Sequence, residues 1–261
     1  MTSTKSYALS ESLMFNKVSV ALVGLGGSGG EMLESLVRID LVLKELGHSG
    51  LEIHLYDDDR VSQSNIGRTR FSVVDVGQYK VDVLASRFNL FYGLTIKAHA
   101  QRFDPSEMFN FNLIVSCTDS ASFRVSMGEF IEDNTDDLYR QDADELLWLD
   151  LGNESYTGQY VLGHLWHGNA PFKIPNVYDL YGKELREAEK VEDNSSSCSL
   201  KQAIEIQSLF INKTLVTHAS ALLYQLFKDG VILTHGGFVD LKSHTVKPLR
   251  MDTKIWQFLV N

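Results

Sequence analysis

Apolar residues follow two different patterns along the chain, and the two patterns alternate. Short continuous runs, as at residues 18–23, are typical of buried strands, whereas apolar positions three and four residues apart, as at 30–46, are typical of amphipathic helices. Further strands are predicted at 51–56, 94–99, 113–117, 146–151 and 159–165, and further helices at 81–88 and 123–130. The order through residue 151, β-α-β-α-β-β-α-β, predicts an α/β fold with a Rossmann-like, mostly parallel sheet and helices on both faces.

The ends of the chain differ from this alternation. Residues 1–16 are weakly patterned and are interpreted as an N-terminal arm or short helix, and residues 170–200 are predicted to be an irregular crossover segment. Residues 199–227 have helical spacing, as one helix or two, and residues 238–249 predict C-terminal antiparallel strands. No internal repeat or low-complexity linker divides the sequence, so residues 1–261 are expected to form a single domain.

The composition limits the kind of partner and compartment. Asp and Glu outnumber Lys and Arg by 34 to 24, and the net charge of −10 argues against nucleic acid or an anionic membrane surface as the main partner. The two cysteines, Cys117 and Cys198, form no C-x-x-C pair, which excludes a structural zinc site of four cysteines and suits a cytoplasmic protein. No apolar run is long enough to span a bilayer.

A glycine-rich stretch separates the first predicted strand from the first predicted helix. Gly24, Gly26 and Gly29 match the G-x-G-x-x-G spacing, and Gly27 lies between them. Glycine lets backbone N–H groups approach a phosphate closely, and the start of the following helix adds a partial positive charge. The stretch therefore predicts a nucleotide phosphate site, although it does not separate NAD, FAD and ATP. The alternative is a glycine-rich turn that binds nothing.

An acidic residue, Asp57, closes the second predicted strand. In a Rossmann domain this is the position that holds a ribose hydroxyl. Asp57 lies further from the glycines than the usual distance of about 20 residues, and the long first helix with its turn accounts for the difference. The alternative interpretation is an ordinary acidic turn at the end of a strand.

The segments from Ile53 to Arg68 and from Val76 to Lys80 carry the most specific pattern. Together they resemble the ThiF/MoeB/HesA family, relatives of the ubiquitin-activating enzymes, whose pattern is D-x-D-x-V-x-x-S-N-x-x-R-Q followed by V-G-x-x-K. The family's GxGGxG motif lies upstream. Downstream, Cys117-Thr-Asp-Ser stands in place of the family's C-T-D-N, and Arg124 follows at the expected distance.

The second half of the chain resembles one particular branch of this family. Asp150-Leu-Gly-Asn and the stretch from Ser197 to Asn212 are similar to the ThiF-like member of the bacterial PRTRC cassette. That cassette also encodes a JAB-type peptidase-like protein and a small protein expected to be ubiquitin-like. The resemblance implies a cytoplasmic bacterial protein that forms a homodimer.

The resemblance also implies a reaction and a set of site residues. The reaction is the ATP- and Mg²⁺-dependent adenylation of the C-terminal carboxylate of a small ubiquitin-like protein, with release of pyrophosphate. The implied roles are phosphate binding by Gly24, Gly26, Gly27 and Gly29, ribose binding by Asp57, phosphate contact by Asn65, Arg68 and Lys80, a second acidic position near the nucleotide at Asp59, and Mg²⁺ binding by Asp119.

Several of these residues have simpler alternatives. Arg68 and Lys80 could be surface cations, Asp119 could cap a helix that starts near residue 120, and Asn65 could cap a turn. Some relatives carry a cysteine in the region of Cys198 that accepts the activated carboxylate as a thioester, and a following helix would lower the thiol pKa there. A structural cysteine is the alternative for this position.

Two other functions remain open at this point. An NAD-dependent oxidoreductase explains the glycines and Asp57 but leaves Asn65, Arg68 and Lys80 without a role. A non-catalytic scaffold that binds a nucleotide or a partner is favoured by Thr69, which replaces the family's glutamine, and by the absence of the family's arginine motif from the N-terminal arm.

Overall fold

The computed structural model describes residues 5–141, 145–192 and 208–260. The strands are β1 Tyr7–Ala8, β2 Val18–Val23, β3 Leu51–Tyr56, β4 Lys97–His99, β5 Leu113–Ser116, β6 Leu146–Asn153, β7 Thr157–Trp166, β8 Val231–Ile232, β9 Thr234–Asp240 and β10 Thr245–Arg250. The α-helices are α1 Glu11–Phe15, α2 Gly27–Glu45, α3 Lys80–Tyr92, α4 Ala121–Gln141, α5 Val177–Glu192, α6 Ile211–Asp229 and α7 Thr253–Val260. Short 3-10 helices span Gln63–Asn65, Val73–Asp75 and Pro105–Asn110.

Eight strands form one sheet in the order β10-β9-β7-β6-β5-β2-β3-β4. The five strands from β6 to β4 are parallel to one another, and β7, β9 and β10 extend the sheet in antiparallel fashion. Strand β2, the middle one of the five parallel strands, is apolar except at Ser19 because both of its faces are covered. The predicted class, a mostly parallel sheet with C-terminal antiparallel strands, is confirmed.

Helices cover both faces of this sheet, as predicted. From β2 the chain crosses to β3 on one side, whereas from β5 it crosses to β6 on the other. Because such crossovers are right-handed, α2 and α4 lie on opposite faces. Helix α2 packs against α6, and α4 packs against α5. The apolar face predicted for α2 is buried in full, at Met32, Leu33, Leu36 and Val37.

The prediction that residues 170–200 are irregular is wrong for residues 177–192, which form α5. Asn176 starts this helix, because its side-chain oxygen accepts hydrogen bonds from the N–H groups of Tyr178 (2.8 Å) and Asp179 (3.0 Å). Apolar residues are concentrated in the first turn of α5, and the remainder is rich in Glu, Lys and Arg. Val177, Tyr181, Leu185 and Ala188 do recur with helical spacing, but only the first turn is buried and the helix is kinked at Tyr181. None of the described helices combines the length and apolarity needed to cross a bilayer.

The N-terminal arm is tied to the body of the protein by a buried carboxylate. Tyr7 in β1 donates a hydrogen bond from its hydroxyl to Glu145 Oε2 (2.5 Å), and the Ser10 N–H donates to Glu145 Oε1 (3.2 Å). His164 completes the cluster: its Nδ1 accepts from the Ile174 N–H (2.9 Å), so its Nε2 carries the proton that faces Glu145 Oε2 (3.4 Å). These bonds hold the arm against the beginning of β6, which directly follows Glu145.

A second buried histidine is expected to make the stability of the fold depend on pH. His235 donates from Nδ1 to Leu162 O (2.9 Å) and accepts at Nε2 from Trp256 Nε1 (2.9 Å). Burial lowers its pKa from 6.5 to about 4, and burial lowers the pKa of His164 as well. A proton on His235 Nε2 would face the Trp256 N–H. The folded protein therefore binds fewer protons than the unfolded chain below pH 6.5, and stability falls as the pH falls.

We expect the titration of His235 alone to lower the free energy of unfolding by about 2–3 kcal/mol when the pH falls from 7 to 4.5. Urea unfolding of the wild type and of His235→Gln at both pH values measures this effect, because glutamine does not titrate. His244→Gln, at an exposed turn position, is the matched control. An equal pH dependence in wild type and His235→Gln would contradict the assignment.

Candidate functional site

The residues predicted to bind the nucleotide follow three neighbouring strands. Strand β2 lies between β5 and β3 in the sheet, and all three run parallel. Their carboxyl ends therefore place the glycine stretch, the loop that begins at Asp57 and the loop that contains Asp119 side by side. Because the chain leaves β2 toward β3 while β5 lies on the opposite side, a crevice opens at this point of the sheet. In open α/β sheets this is where ligands bind.

Two glycines of the stretch are required by the packing of the loop itself. Gly24 has φ +84°, and a Cβ on it would lie 3.0 Å from the backbone of Cys117 after β5. A Cβ on Gly29 would lie 1.9 Å from the carbonyl oxygen of Gly24. Side chains at either position would push the loop away from the sheet edge, so these glycines hold the turn between β2 and α2 in place.

The crest of the same loop, which is Gly26, has open space in front of it. A Cβ built on Gly26 meets no atom within 4 Å, and Gly26 is the N-cap of the 19-residue helix α2 without any side-chain cap. The first N–H groups of a helix have no partner within the helix, and they carry the positive end of its dipole. An open crest with free N–H groups fits a phosphate, which needs close backbone approach and positive potential.

Asp57 connects the glycine loop to the loop after β3. Its Oδ2 accepts a hydrogen bond from the Leu25 N–H (2.6 Å), and its Oδ1 accepts from the Asp59 N–H (2.9 Å). Burial raises the pKa of this carboxyl, and the nearby Lys80 charge and the two N–H groups act against that rise. Asp57 thus stands beside the glycine loop, where a ribose ligand is expected, and the ribose contact itself stays a prediction.

Lys80, at the start of α3, lies among the acidic residues of this loop. Its Nζ is 2.6 Å from Asp59 Oδ2 and 3.6 Å from Asp57 Oδ2, and the side chain is buried. Lys80 is therefore not an ordinary surface cation. The carboxylates of Asp57, Asp58 and Asp59 lie within 4.8 Å of one another, and Arg102 Nε pairs with Asp58 at 3.0 Å. The cations Lys80 and Arg102 offset the charge of this acidic run.

Asn65 and Arg68 lie in a separate turn. Asn65 Oδ1 accepts from the N–H (2.9 Å) and hydroxyl (3.2 Å) of Ser62, which closes the 3-10 helix Gln63–Asn65. The Thr69 hydroxyl donates to Asn65 O (2.7 Å), and Arg68 Nε donates to Ser64 O (3.1 Å). Asn65 thus caps a turn, and Thr69 has a structural bond of its own. Contact of Asn65 and Arg68 with a phosphate stays a prediction.

The structure separates two roles that were both possible for Asp119. Ser120 Oγ accepts a hydrogen bond from the Phe123 N–H (3.1 Å), so Ser120 is the side-chain cap of α4. Asp119 is exposed, and its carboxylate makes no hydrogen bond or ion pair with any other described residue. The alternative in which Asp119 caps the helix is wrong, and its carboxylate remains available for a ligand from solution.

Arg124 holds the loop around Asp119 in place, a role that was not predicted from the sequence. The buried side chain donates from Nη2 to Thr118 O (2.8 Å) and from Nη1 to Ser120 O (3.1 Å), on either side of Asp119. Its Nε donates to Asp150 Oδ1 in β6 (2.8 Å). The sequence signal was only that Arg124 follows the Cys117-Thr-Asp-Ser motif at the distance expected from the family resemblance, without an assigned role. Its partners in β6 are distant in the chain and appear only in the fold.

A second missed residue, Asn212, reaches the glycine loop from the first turn of α6. The Ser28 hydroxyl donates to Asn212 Oδ1 at 3.0 Å, across 184 positions of sequence. No local pattern marks such a contact. Cys198, the predicted thioester position, lies outside the described residues. Cys117 packs beside Gly29 at the end of β5, and burial raises the pKa of its thiol, in agreement with a core role.

Comparisons with known proteins agree with this architecture. A sequence model of the ThiF family matches residues 7–235. The Escherichia coli (strain TW11681) protein described as ATP-dependent ubiquitin transferase-like protein Cap2 is 41% identical over 68 residues, which are 26% of this chain and 11% of that protein. The crystal structure of E. coli MccB with ATP has a TM-score of 0.57 at 14% identity, and MccB with AMPCPP and MccA has 0.58 at 12%.

These likenesses differ in what they establish. The MccB structures match 90% of this chain but 64% of their own, so the chain spans less than two thirds of the length of MccB and a small part of Cap2. At such low identity the MccB structures support the fold alone. The family match is independent of them and extends from β1 into β9, across the glycine loop, Asp57, Lys80 and Asp119. The chain therefore belongs to the ThiF family.

Proposed function

We propose that this protein uses ATP and Mg²⁺ to adenylate the C-terminal carboxylate of a small protein. The observation that carries the proposal is the set of groups at one sheet edge. The open glycine crest lies beside Asp57 and the buried Lys80, and the neighbouring loop presents the uncommitted carboxylate of Asp119. A polyphosphate with a ribose and a divalent cation matches the chemistry of these groups.

In the proposed reaction, a carboxylate oxygen of the substrate attacks the α-phosphorus of ATP. The bond between that phosphorus and the bridging oxygen of pyrophosphate breaks, and its electron pair leaves with pyrophosphate. The enzyme's contribution is therefore positioning and charge stabilisation rather than covalent chemistry. The helix start at Gly26 and Gly27 receives the phosphates, Asp57 orients the ribose, and Lys80 and Arg68 offset negative charge.

Asp119 is the proposed Mg²⁺ ligand. Mg²⁺ prefers oxygen ligands and is usually bound by one or two carboxylates together with substrate phosphates. The exposed carboxylate of Asp119, on a loop fixed by Arg124, suits that arrangement. When bound, the cation would neutralise charge on the phosphates.

The identity of the protein that supplies the carboxylate is a second part of the proposal. One solved structure with a similar fold is described as MccB with AMPCPP and MccA, and Cap2 is described as ubiquitin transferase-like. Together with the resemblance to the PRTRC family, these descriptions support a small ubiquitin-like protein with a free C-terminal tail as substrate. A homodimer is proposed on the same family grounds.

Exchange of radiolabelled pyrophosphate into ATP tests the proposal. The purified protein is assayed alone, with the small protein encoded beside it, and with that small protein shortened at its C-terminus. We expect exchange only with the intact C-terminus, because the reverse reaction requires the acyl-adenylate. ATP binding without exchange would instead support the non-catalytic scaffold, and binding of NADH without a response to ATP would support an oxidoreductase.

A further inference from the structure

Asn212 joins helix α6 to the glycine loop by a specific contact. Its Oδ1 accepts the hydrogen bond from the Ser28 hydroxyl, which fixes the orientation of the carboxamide. The other end of the group, Nδ2, then faces Gly27: a Cβ on Gly27 would lie 2.2 Å from that nitrogen. A side chain at position 27 would therefore require the Asn212 carboxamide to move, so the two groups are in close contact in this arrangement.

The Nδ2 group of Asn212 has donor capacity that none of the described residues uses. A carboxamide NH₂ group carries two hydrogens. Among the residues that the structure describes, none accepts a hydrogen bond from Asn212 Nδ2. Asn212 is half-buried, so part of the residue remains in contact with solvent. Gly26 beside it has an open face, where a methyl group would meet no atom within 4 Å. A donor thus stands next to the place where the loop admits a ligand.

We propose that Asn212 Nδ2 donates a hydrogen bond to a phosphate held by the glycine loop. Helix α6 would then contribute a side chain to the nucleotide site, beyond the residues of the first half of the chain. This inference rests on the proposed function only in that the loop binds a nucleotide phosphate. The chemical class recognised is a nucleoside polyphosphate, and adenosine without phosphates has no group for Asn212 to contact.

The contact with Ser28 suggests how Asn212 is kept in position. If the hydroxyl of Ser28 orients the carboxamide, its removal leaves the donor present but free to rotate. A phosphate contact and a purely structural brace would both affect ATP more than adenosine, because the loop holds phosphates, so the comparison of Asn212→Ala with Ser28→Ala separates them. A phosphate contact makes Asn212→Ala lose more ATP affinity than Ser28→Ala, in which the donor is retained, whereas a brace that acts through the Ser28 contact makes the two losses equal.

Calorimetric titration of the full-length protein with ATP and with adenosine tests the proposal. Asn212→Asp keeps the Oδ1 acceptor for Ser28 but replaces the donor by a negatively charged oxygen, and Asn212→Ala removes both groups. We expect both variants to raise the dissociation constant for ATP by roughly tenfold or more and to leave that for adenosine unchanged. Ser28→Ala should weaken ATP binding in the same direction but less. Thermal unfolding without ligand reports whether each variant is folded.

The outcomes separate the inference from the function on which it rests. Failure of the wild type to bind ATP would overturn the proposed function and this inference together. Wild-type binding that persists unchanged in Asn212→Asp would overturn only the role of Asn212, and so would an equal loss of ATP and adenosine binding. If Asn212→Ala unfolds, Asn212→Leu replaces it, because leucine is close in size to asparagine and carries neither a donor nor the negative charge by which Asn212→Asp would itself repel a phosphate.

Discussion

Replacing Asp119 with asparagine or alanine is expected to reduce pyrophosphate exchange by roughly 10²–10³-fold without destabilising the protein. The carboxylate is exposed and bonds no described residue, and Ser120 rather than Asp119 caps α4. Loss of the side chain therefore removes a proposed Mg²⁺ ligand and no structural contact. Exchange rates at increasing Mg²⁺, together with thermal unfolding of the ligand-free variants, measure both parts of the prediction.

Asp133→Asn is the matched control for this experiment. Asp133 is also exposed and lies on α4, so the substitution removes an equal charge from the helix that follows the Asp119 loop, away from the sheet edge. Its exchange rate should equal that of the wild type. An Asp119→Ala variant that retains exchange within about threefold of wild type would refute the metal assignment, since a lost ligand should cost far more.

The sequence predicted the layers of the fold because periodicity reports burial directly. Strand β2, in the middle of the five parallel strands, is apolar except at Ser19, and the apolar face of α2 is fully buried. Helix α5 was missed although Val177, Tyr181 and Leu185 recur with helical spacing, because charged residues dominate the sequence after its first turn and little of that part is buried.

The candidate site was predictable where its contacts are local in sequence. The glycines, Asp57 and Asp119 follow strand ends, and parallel strands bring such positions to one edge. Adjacent residues that obey the same local rule could not be separated: Asp119 and Ser120 are both good helix caps, and only the backbone register selects Ser120. The roles of Arg124 and Asn212 depend on partners in distant segments, which no local pattern encodes.

Substitution of Arg124 is expected to cause the largest loss of stability. Arg124 and Asp150 form a buried ion pair, and Asp150 Oδ1 also accepts from the Ser116 hydroxyl (2.5 Å), while Oδ2 has no partner among the described residues. Arg124→Met leaves the carboxylate buried without its cation, and we expect a loss of about 3–5 kcal/mol in the free energy of unfolding. Urea denaturation measures this loss. Arg124→Lys should recover only part of it, because an ammonium cannot reproduce the fork of guanidinium bonds.

A double-mutant cycle separates the ion pair from the loop contacts. Asp150→Asn in the Arg124→Met background removes the uncompensated charge and should restore part of the stability, whereas the carbonyls of Thr118 and Ser120 remain without their donor. Exchange should therefore stay low in the double variant even where it is fully folded, because the loop that carries Asp119 is no longer held. Arg38→Met, at an exposed pair on α2, should change stability by no more than about 1 kcal/mol. Full recovery of exchange with stability would mean that Arg124 serves the fold alone.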